Sequence, residues 1–214
     1  MQTKILQNLF LILLIFIGIN TAALTSAGTA LAGEKTTLFE SIEARQESSE
    51  ISEQLEVVMS RYEQESVKGF SDKGSQKWQS FLATLEGMSE VEQIKAVNTY
   101  VNRKSYKTDK ANYGTGDYWA TPKEFFDRGG DCEDFAIVKL LSLQQLGFNT
   151  DSLRVVVLID TELRTPHAVL AAYIDGDVLI LDNQSSTVKS HTTLSNYVPL
   201  YSINSTGWWM HSFS

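Results

Sequence analysis

The chain has 214 residues, with 18 basic and 26 acidic side chains and a formal net charge of −8. An acidic protein with no basic cluster is poorly suited to bind nucleic acid or anionic lipid, so the composition argues against both kinds of partner. A single cysteine cannot form an internal disulfide. We therefore expect packing to hold the fold together, with a metal ion as a further aid.

The N-terminal residues are typical of a secretory signal peptide. Lys4 precedes an apolar run at 9–19, and small residues at positions 30 and 32 suit a cleavage site. We expect residues 1–32 to be this signal peptide and residues 33–214 to form a single domain. Lys4 is the only charged residue removed, so the mature chain would have a net charge of −9. We do not expect the mature chain to insert into the membrane. An uncleaved anchor is the alternative, although the apolar run is short for a bilayer span.

Helical patterns follow in the first part of the mature chain. Apolar residues at helical spacing predict an amphipathic helix near 51–62 and a second helix over 78–85. Ser89 and Glu92 form a capping-box pattern at the start of a third helix. Residues 104–119 are rich in Asn, Gly, Asp and Thr, which predicts a loop. A Thr-Pro pair at 121–122 then opens a short helix that extends to Phe126.

The last third of the chain changes to a strand pattern. β-Branched and apolar runs at 153–159, 167–174 and 177–181 predict strands. Asp175-Gly176 between two of these runs is a strong signal for a hairpin. Helices followed by antiparallel strands indicate an α+β fold. The Trp208-Trp209 pair near the C-terminus is most simply a packing patch.

Cys132 is the residue with the clearest chemical signal. It follows Gly129-Gly130-Asp131 at the predicted start of a helix that ends near Gly147. The positive end of a helix dipole favours the thiolate, which is the nucleophilic form of cysteine. The commonest role of a free cysteine is that of a small buried hydrophobe. The flanking acids and glycines argue against such a site and favour a nucleophile with a Cys/His/Asp relay.

The predicted hairpin brings His167 and Asp182 together. A two-residue turn at Asp175-Gly176 pairs residues whose numbers sum to 351, so Val169 faces Asp182. His167 lies two residues away on the same face and becomes a diagonal neighbour of Asp182, within about 7–8 Å at the backbone. Asp182 could then orient the imidazole as a general base. A three-residue loop would instead place the two side chains on opposite faces.

The carboxylates beside Cys132 point to a cation. Asp131 and Asp134 suit the N-cap and third positions of the helix. Together with Glu133, however, they disfavour a neighbouring thiolate. A bound Ca²⁺ would neutralise them, and loop carbonyls from the 112–117 region could complete its coordination. Zinc is disfavoured because its preferred Cys and His ligands are scarce.

Several blocks of this chain resemble one bacterial family. They are YWATPKEF at 118–125, GDCEDF at 130–135, HAVL at 167–170 and LDN at 181–183. In unbroken order, from about Glu92 to Asp182, they are similar to the bacterial transglutaminase-like cysteine proteinases, the LapG group. The resemblance implies a papain-like or transglutaminase-like core with Cys132 as nucleophile, His167 as general base and Asp182 as orienting acid. It also implies a Ca²⁺ ion near the cysteine, with Asp131, Glu133 and Asp134 as its ligands in this chain.

The resemblance carries a functional expectation as well. Members of this group are periplasmic proteases that cleave large surface adhesins near their N-terminal membrane-retention module, at a pair of alanines, which releases the adhesin and disperses biofilm. An inner-membrane receptor for cyclic diguanylate holds them inactive. Other functions on the same scaffold stay open: amide crosslinking, cleavage of peptidoglycan peptides, a non-catalytic calcium-dependent binding module, or a purely structural exported domain.

Overall fold

The computed structural model describes residues 37–47 and 50–213, so the signal-peptide prediction lies outside the described residues. Helices dominate the first half of this region and strands the second. The helices are α1 (Glu50–Val67), α2 (Lys73–Ala83), α3 (Glu90–Val101), α4 (Asp109–Tyr113), α5 (Pro122–Arg128) and α6 (Cys132–Gln145). The strands are β1 (Ile42–Gln46), β2 (Leu153–Asp160), β3 (Thr165–Ile174), β4 (Asp177–Leu181), β5 (Lys189–Ser190), β6 (Tyr197–Asn204) and β7 (Gly207–Ser212).

The strands form one antiparallel sheet in the order β1-β7-β6-β2-β3-β4-β5. One face of the sheet packs against the helices, with Trp78, Phe125 and Ile137 among the fully buried side chains of that core. The other face is covered by Leu38 and Phe39 of the short 3-10 turn that precedes β1. The predicted α+β class is therefore confirmed. No helix of the described part of the chain is long and apolar enough to cross a bilayer.

The β3–β4 hairpin has the predicted register. Ile174 pairs with Asp177 and Leu170 pairs with Leu181, so paired residue numbers sum to 351. Asp175 and Gly176 both have positive φ, at 50° and 82°. A two-residue turn of this kind needs left-handed backbone at both positions, which Asp-Gly tolerates well. This turn fixes the alternation of every side chain along β3 and β4.

The helix predictions are right in position and differ in length. The α1 helix extends five residues beyond Tyr62, and α2 begins at Lys73 instead of Trp78. The capping box at the start of α3 is present, with the Ser89 N–H donating to Glu92 Oε2 at 2.9 Å. A second capping box, formed by Thr121 and Glu124, starts α5 directly before Pro122. Helix starts are therefore well encoded where a capping side chain marks them.

Two predictions need correction. The region 104–119 is not entirely a loop, because Asp109–Tyr113 forms α4, which ends at the left-handed Gly114. A five-residue helix is too short to show an apolar period. The described part of the chain also contains β1, β5, β6 and β7, which the sequence patterns did not identify. The predicted Trp208-Trp209 packing patch lies on β7, where both indoles are buried.

Candidate active site

The turn before α6 places Cys132 at the first position of that helix. Gly129 has a φ of 81°, and a Cβ at this position would lie 2.3 Å from the Ser105 carbonyl oxygen. A Cβ on Gly130 would lie 2.2 Å from Asp134 Oδ2. The chain can therefore make this close turn only with two glycines. The turn is tied to the preceding loop by a hydrogen bond from the Lys107 N–H to the Gly130 carbonyl, at 2.8 Å.

His167 and Asp182 form a buried hydrogen-bonded pair. His167 Nε2 lies 2.9 Å from Asp182 Oδ1, and the two residues are 3% and 5% exposed. Asp182 also accepts from the Tyr197 hydroxyl at 2.6 Å and from the Gln184 N–H at 2.9 Å. Burial raises the pKa of Asp182, but the hydrogen bonds from His167 and Tyr197 outweigh it and hold the pKa below its ordinary value. Asp182 is thus a carboxylate, and Nε2–H is the donor.

The Cys132 sulfur lies against the start of β3. The α6 helix packs against β3, and the backbone N–H of Ala168, the residue after His167, lowers the pKa of the thiol in opposition to burial. Because Asp182 fixes Nε2 as the protonated nitrogen, Nδ1 is the nitrogen with a free lone pair. Among the described residues, Nδ1 accepts one long hydrogen bond, from Gln184 Nε2 at 3.5 Å. The imidazole is thus oriented by Asp182, with the basic nitrogen left available.

The thiol of Cys132 is held in its neutral form. It donates to Glu133 Oε2 at a distance of 3.2 Å. Burial raises its pKa well above the ordinary value, and the charges of Glu133 and Asp131 raise it further. Burial and the flanking carboxylates therefore outweigh the helix dipole, and the carboxylates act in the direction expected from the sequence. Neutralising the neighbouring carboxylates would remove a large part of this opposition.

Five carboxyl groups gather beside the cysteine. Oxygen atoms of Asp109, Asp131 and Asp134 lie within 4.8 Å of one another, as do those of Asp109, Asp117 and Glu133. The three residues expected from sequence are all present, but they fall into two groups that share Asp109. Asp109 and Asp117 come from the region predicted to be a loop, and the sequence reasoning missed both as ligands. The acidic side chains of that predicted loop were the sequence signal that could have identified them as ligands.

The electrostatics of this acidic cluster fit a hard cation. Burial, followed by the charges of neighbouring carboxylates, raises the pKa of Asp131 to about 9 and of Asp134 to about 8. Burial together with Asp134 raises the pKa of Glu133 to about 7. One buried oxygen of Asp109 and one of Asp131 have no hydrogen-bond partner among the described residues. Unsatisfied carboxylate oxygens at close range are the ligand set that Ca²⁺ prefers.

The other two histidines have structural positions. His191 Nδ1 accepts from the Phe39 N–H at 2.9 Å, and this contact joins the 3-10 turn to the rest of the chain. His211 lies between the hydroxyls of Ser41 and Ser202, at 2.7 and 2.9 Å. Neither ring contacts the Cys132 region in these interactions. Tyr197 and Gln184 are the further contributors to the site that sequence reasoning did not identify, because they reach Asp182 only through the folded sheet.

The comparisons with known proteins agree with this arrangement. Residues 62–212 match the family of bacterial transglutaminase-like cysteine proteinases. The calcium-bound structure of LapG from Legionella pneumophila is similar, with 31% identity, 75% of this chain and 91% of that chain covered, and a TM-score of 0.60. The EGTA-treated structure of the same protein has 30% identity, covers 73% and 84%, and gives a TM-score of 0.59. No relative matches among curated proteins. The chain belongs to the bacterial transglutaminase-like cysteine proteinases.

Proposed function

We propose that this protein is a cysteine endopeptidase with Cys132 as nucleophile, His167 as general base and Asp182 as the residue that orients the imidazole. The observation that carries the proposal is the buried 2.9 Å contact between Asp182 and His167 of β3, the strand against which α6 packs, with Cys132 at the first position of that helix. Asp182 keeps the proton on Nε2, so Nδ1 can accept the thiol proton. Family membership supports the same assignment.

The chemistry proceeds in two stages. The Cys132 thiol gives its proton to His167, and the sulfur attacks the scissile carbonyl carbon. The C–N bond then breaks, the amine leaves with the proton from His167, and a thioester remains on Cys132. Water, deprotonated by His167, attacks the thioester and releases the carboxyl product and the thiol. The N–H of Cys132 lies in the first turn of α6, where N–H groups have no helical partner, and it is suited to stabilise the oxyanion.

We further propose that the acidic cluster binds Ca²⁺. Asp109, Asp117, Asp131, Glu133 and Asp134 would hold it, and the positive charge would offset the carboxylates that oppose thiolate formation. The similarity to a LapG structure in the calcium-bound state supports this choice of ion. The residues of this chain would then position the Cys132 loop and lower the cost of ionising its thiol. When bound there, the ion would shape and neutralise the loop, and the catalytic steps would be carried out by Cys132 and His167.

The first experiment replaces the nucleophile. Cys132→Ala should abolish cleavage of a protein substrate while leaving the melting temperature within a few degrees of wild type. A matched control is Ser80→Ala, an exposed position on α2 far along the chain from the site. Undiminished proteolysis by Cys132→Ala would refute the assignment. A labelled primary amine added to the wild type separates the alternatives, because a crosslinking enzyme incorporates the amine and a protease releases fragments.

The substrate class and location follow the same family relationship. We propose that the protein acts in the periplasm, on the N-terminal region of a large surface adhesin, and that an inner-membrane receptor for cyclic diguanylate restrains it. The test compares proteins shed by cells that carry the wild type, Cys132→Ala or no copy of this chain. Release of one large surface protein only by the wild type is expected. If all three strains shed the same proteins, the substrate proposal would be contradicted, and the proposed catalytic residues would not be affected.

A further inference from the structure

Arg61 joins helix α1 to the segment 118–124, which includes the first turn of α5. Its side chain is partly buried, with 29% exposed. Nη1 donates to both carboxylate oxygens of Glu124, at 2.9 and 3.2 Å, and to the Tyr118 hydroxyl. Nη2 donates to the Trp119 carbonyl, and the guanidinium carbon lies 4.8 Å from the centre of the Tyr118 ring. One side chain from α1 therefore holds three residues of this segment.

Glu124 ties these contacts to the start of α5. Its Oε1 accepts from the Tyr118 hydroxyl at 2.7 Å, and its Oε2 accepts from the Thr121 N–H at 2.8 Å. A partly exposed ion pair contributes little to stability by itself. A planar guanidinium that binds several acceptors at once instead fixes their relative positions. The network is therefore suited to hold the segment 118–124 in one conformation.

The backbone of the same segment binds two carboxylates of the acidic cluster. The Tyr118 N–H donates to Asp109 Oδ2, and the Ala120 N–H donates to Asp134 Oδ1 at 2.7 Å. Trp119, whose carbonyl accepts from the guanidinium, lies between these two donors. Each N–H engages one oxygen of its carboxylate and so sets the direction of the other oxygen. For Asp109 that other oxygen is buried without a hydrogen-bond partner among the described residues.

We propose that Arg61 is a positioning residue for the calcium site: its hold on the segment 118–124 aims two carboxylates of the acidic cluster at the ion. The proposal rests on the calcium site proposed above. The sign of the effect separates this role from a charge effect. Two cations repel each other, so loss of the guanidinium charge alone would tighten calcium binding. Loss of positioning would weaken it.

The first experiment measures calcium binding directly, by isothermal titration calorimetry of the chelator-treated protein with CaCl₂. For Arg61→Ala we expect Kd to rise about ten- to a hundredfold, which is the usual effect of removing a group that orients metal ligands. Lys77→Ala removes a charge of the same sign from an exposed position of α2 and should bind as wild type. An unchanged or lower Kd in Arg61→Ala would overturn the proposal.

A second variant separates the shape of the side chain from its charge. Arg61→Lys keeps the positive charge, but an ammonium lacks the planar fork that reaches Glu124 and Trp119 together. We expect its calcium binding to be weaker than that of wild type. A wild-type Kd in Arg61→Lys would overturn the positioning role, because charge alone would then suffice. If Arg61→Ala does not fold, Arg61→Lys decides the question.

The second experiment follows proteolysis of a protein substrate as calcium is added. The calcium concentration that gives half of the maximal rate should rise about tenfold in Arg61→Ala, and added calcium should restore the lost activity. A loss of activity that calcium does not restore would overturn the proposal. The calcium site itself fails separately, if the wild type binds no Ca²⁺ in the calorimeter. Calcium binding by the wild type with an equal Kd in Arg61→Ala would contradict only the role of Arg61.

Discussion

Asp182 is the residue on which the orientation of His167 depends. Its Oδ1 accepts hydrogen bonds from His167 and from the Gln184 N–H, and its Oδ2 accepts from Tyr197. All three partners are donors, so they require an ionised carboxylate with two acceptor oxygens. Asp182→Asn replaces one acceptor oxygen by an N–H₂ group, which would favour the wrong imidazole tautomer. We expect kcat to fall by about 10²–10⁴-fold with the fold retained. Steady-state kinetics together with circular dichroism would check both parts of this prediction.

The control for Asp182→Asn lies at the other end of the same strand. Asp177 begins β4 and accepts from the Val178 N–H and the Ser190 hydroxyl. Asp177→Asn removes a similar carboxylate from the same hairpin without touching the imidazole. It should therefore keep close to full activity. If both variants lost activity to the same extent, the effect would come from the hairpin as a whole, and the orienting role of Asp182 would be wrong.

At the scale of elements, the turn before α6 joins the cysteine to the acidic cluster. Gly130 leaves room for the Asp134 carboxylate, whose oxygen accepts from the Asp131 N–H at 3.2 Å. Gly130→Ala forces the first turn of α6 apart. We predict loss of activity and weaker calcium binding, with a fall in melting temperature of several degrees, measured by thermal unfolding with and without Ca²⁺. Gly116→Ala, where a Cβ meets nothing within 4 Å, should behave like wild type.

Elements with a local signal were predictable from sequence. The α6 start is marked by Gly-Gly followed by an acidic cap, and the β3–β4 hairpin by Asp-Gly between two apolar runs. That hairpin alone sets the register that places His167 beside Asp182. The spatial pairing of these two side chains therefore follows from one turn type and the two-residue period of strands.

Elements without a local signal were not predictable. The short edge strand β1 exists because its backbone pairs with β7, and its sequence is largely polar. The α4 helix is too short to show a period, yet it supplies Asp109 to both carboxylate groups. Tyr197 reaches Asp182 from β6, which is separated from β4 in the sheet by β2 and β3. These contributions depend on tertiary packing, which a single sequence does not display.

At the scale of the whole molecule, the acidic cluster couples folding to both pH and calcium. In the metal-free protein, burial raises the pKa of Glu133 to about 7, of Asp134 to about 8 and of Asp131 to about 9. The unfolded chain titrates these groups near their ordinary values, about 4. Between about pH 4 and pH 9 the native state therefore holds protons that the unfolded state has released. By linkage, stability is fully present at the acid end of this window and is lost as pH rises through the folded pKa values.

Calcium should reverse this trend, because the ion binds the ionised carboxylates that are costly to bury alone. We predict that the melting temperature of the chelator-treated protein falls between about pH 5.5 and about pH 8.5, and that the rise caused by Ca²⁺ grows over the same range. Asp109→Asn, which alters both carboxylate groups, should lose most of that rise. The exposed Asp127→Asn should retain it. A calcium effect that is equal at both pH values, or undiminished in Asp109→Asn, would show that the ion binds elsewhere.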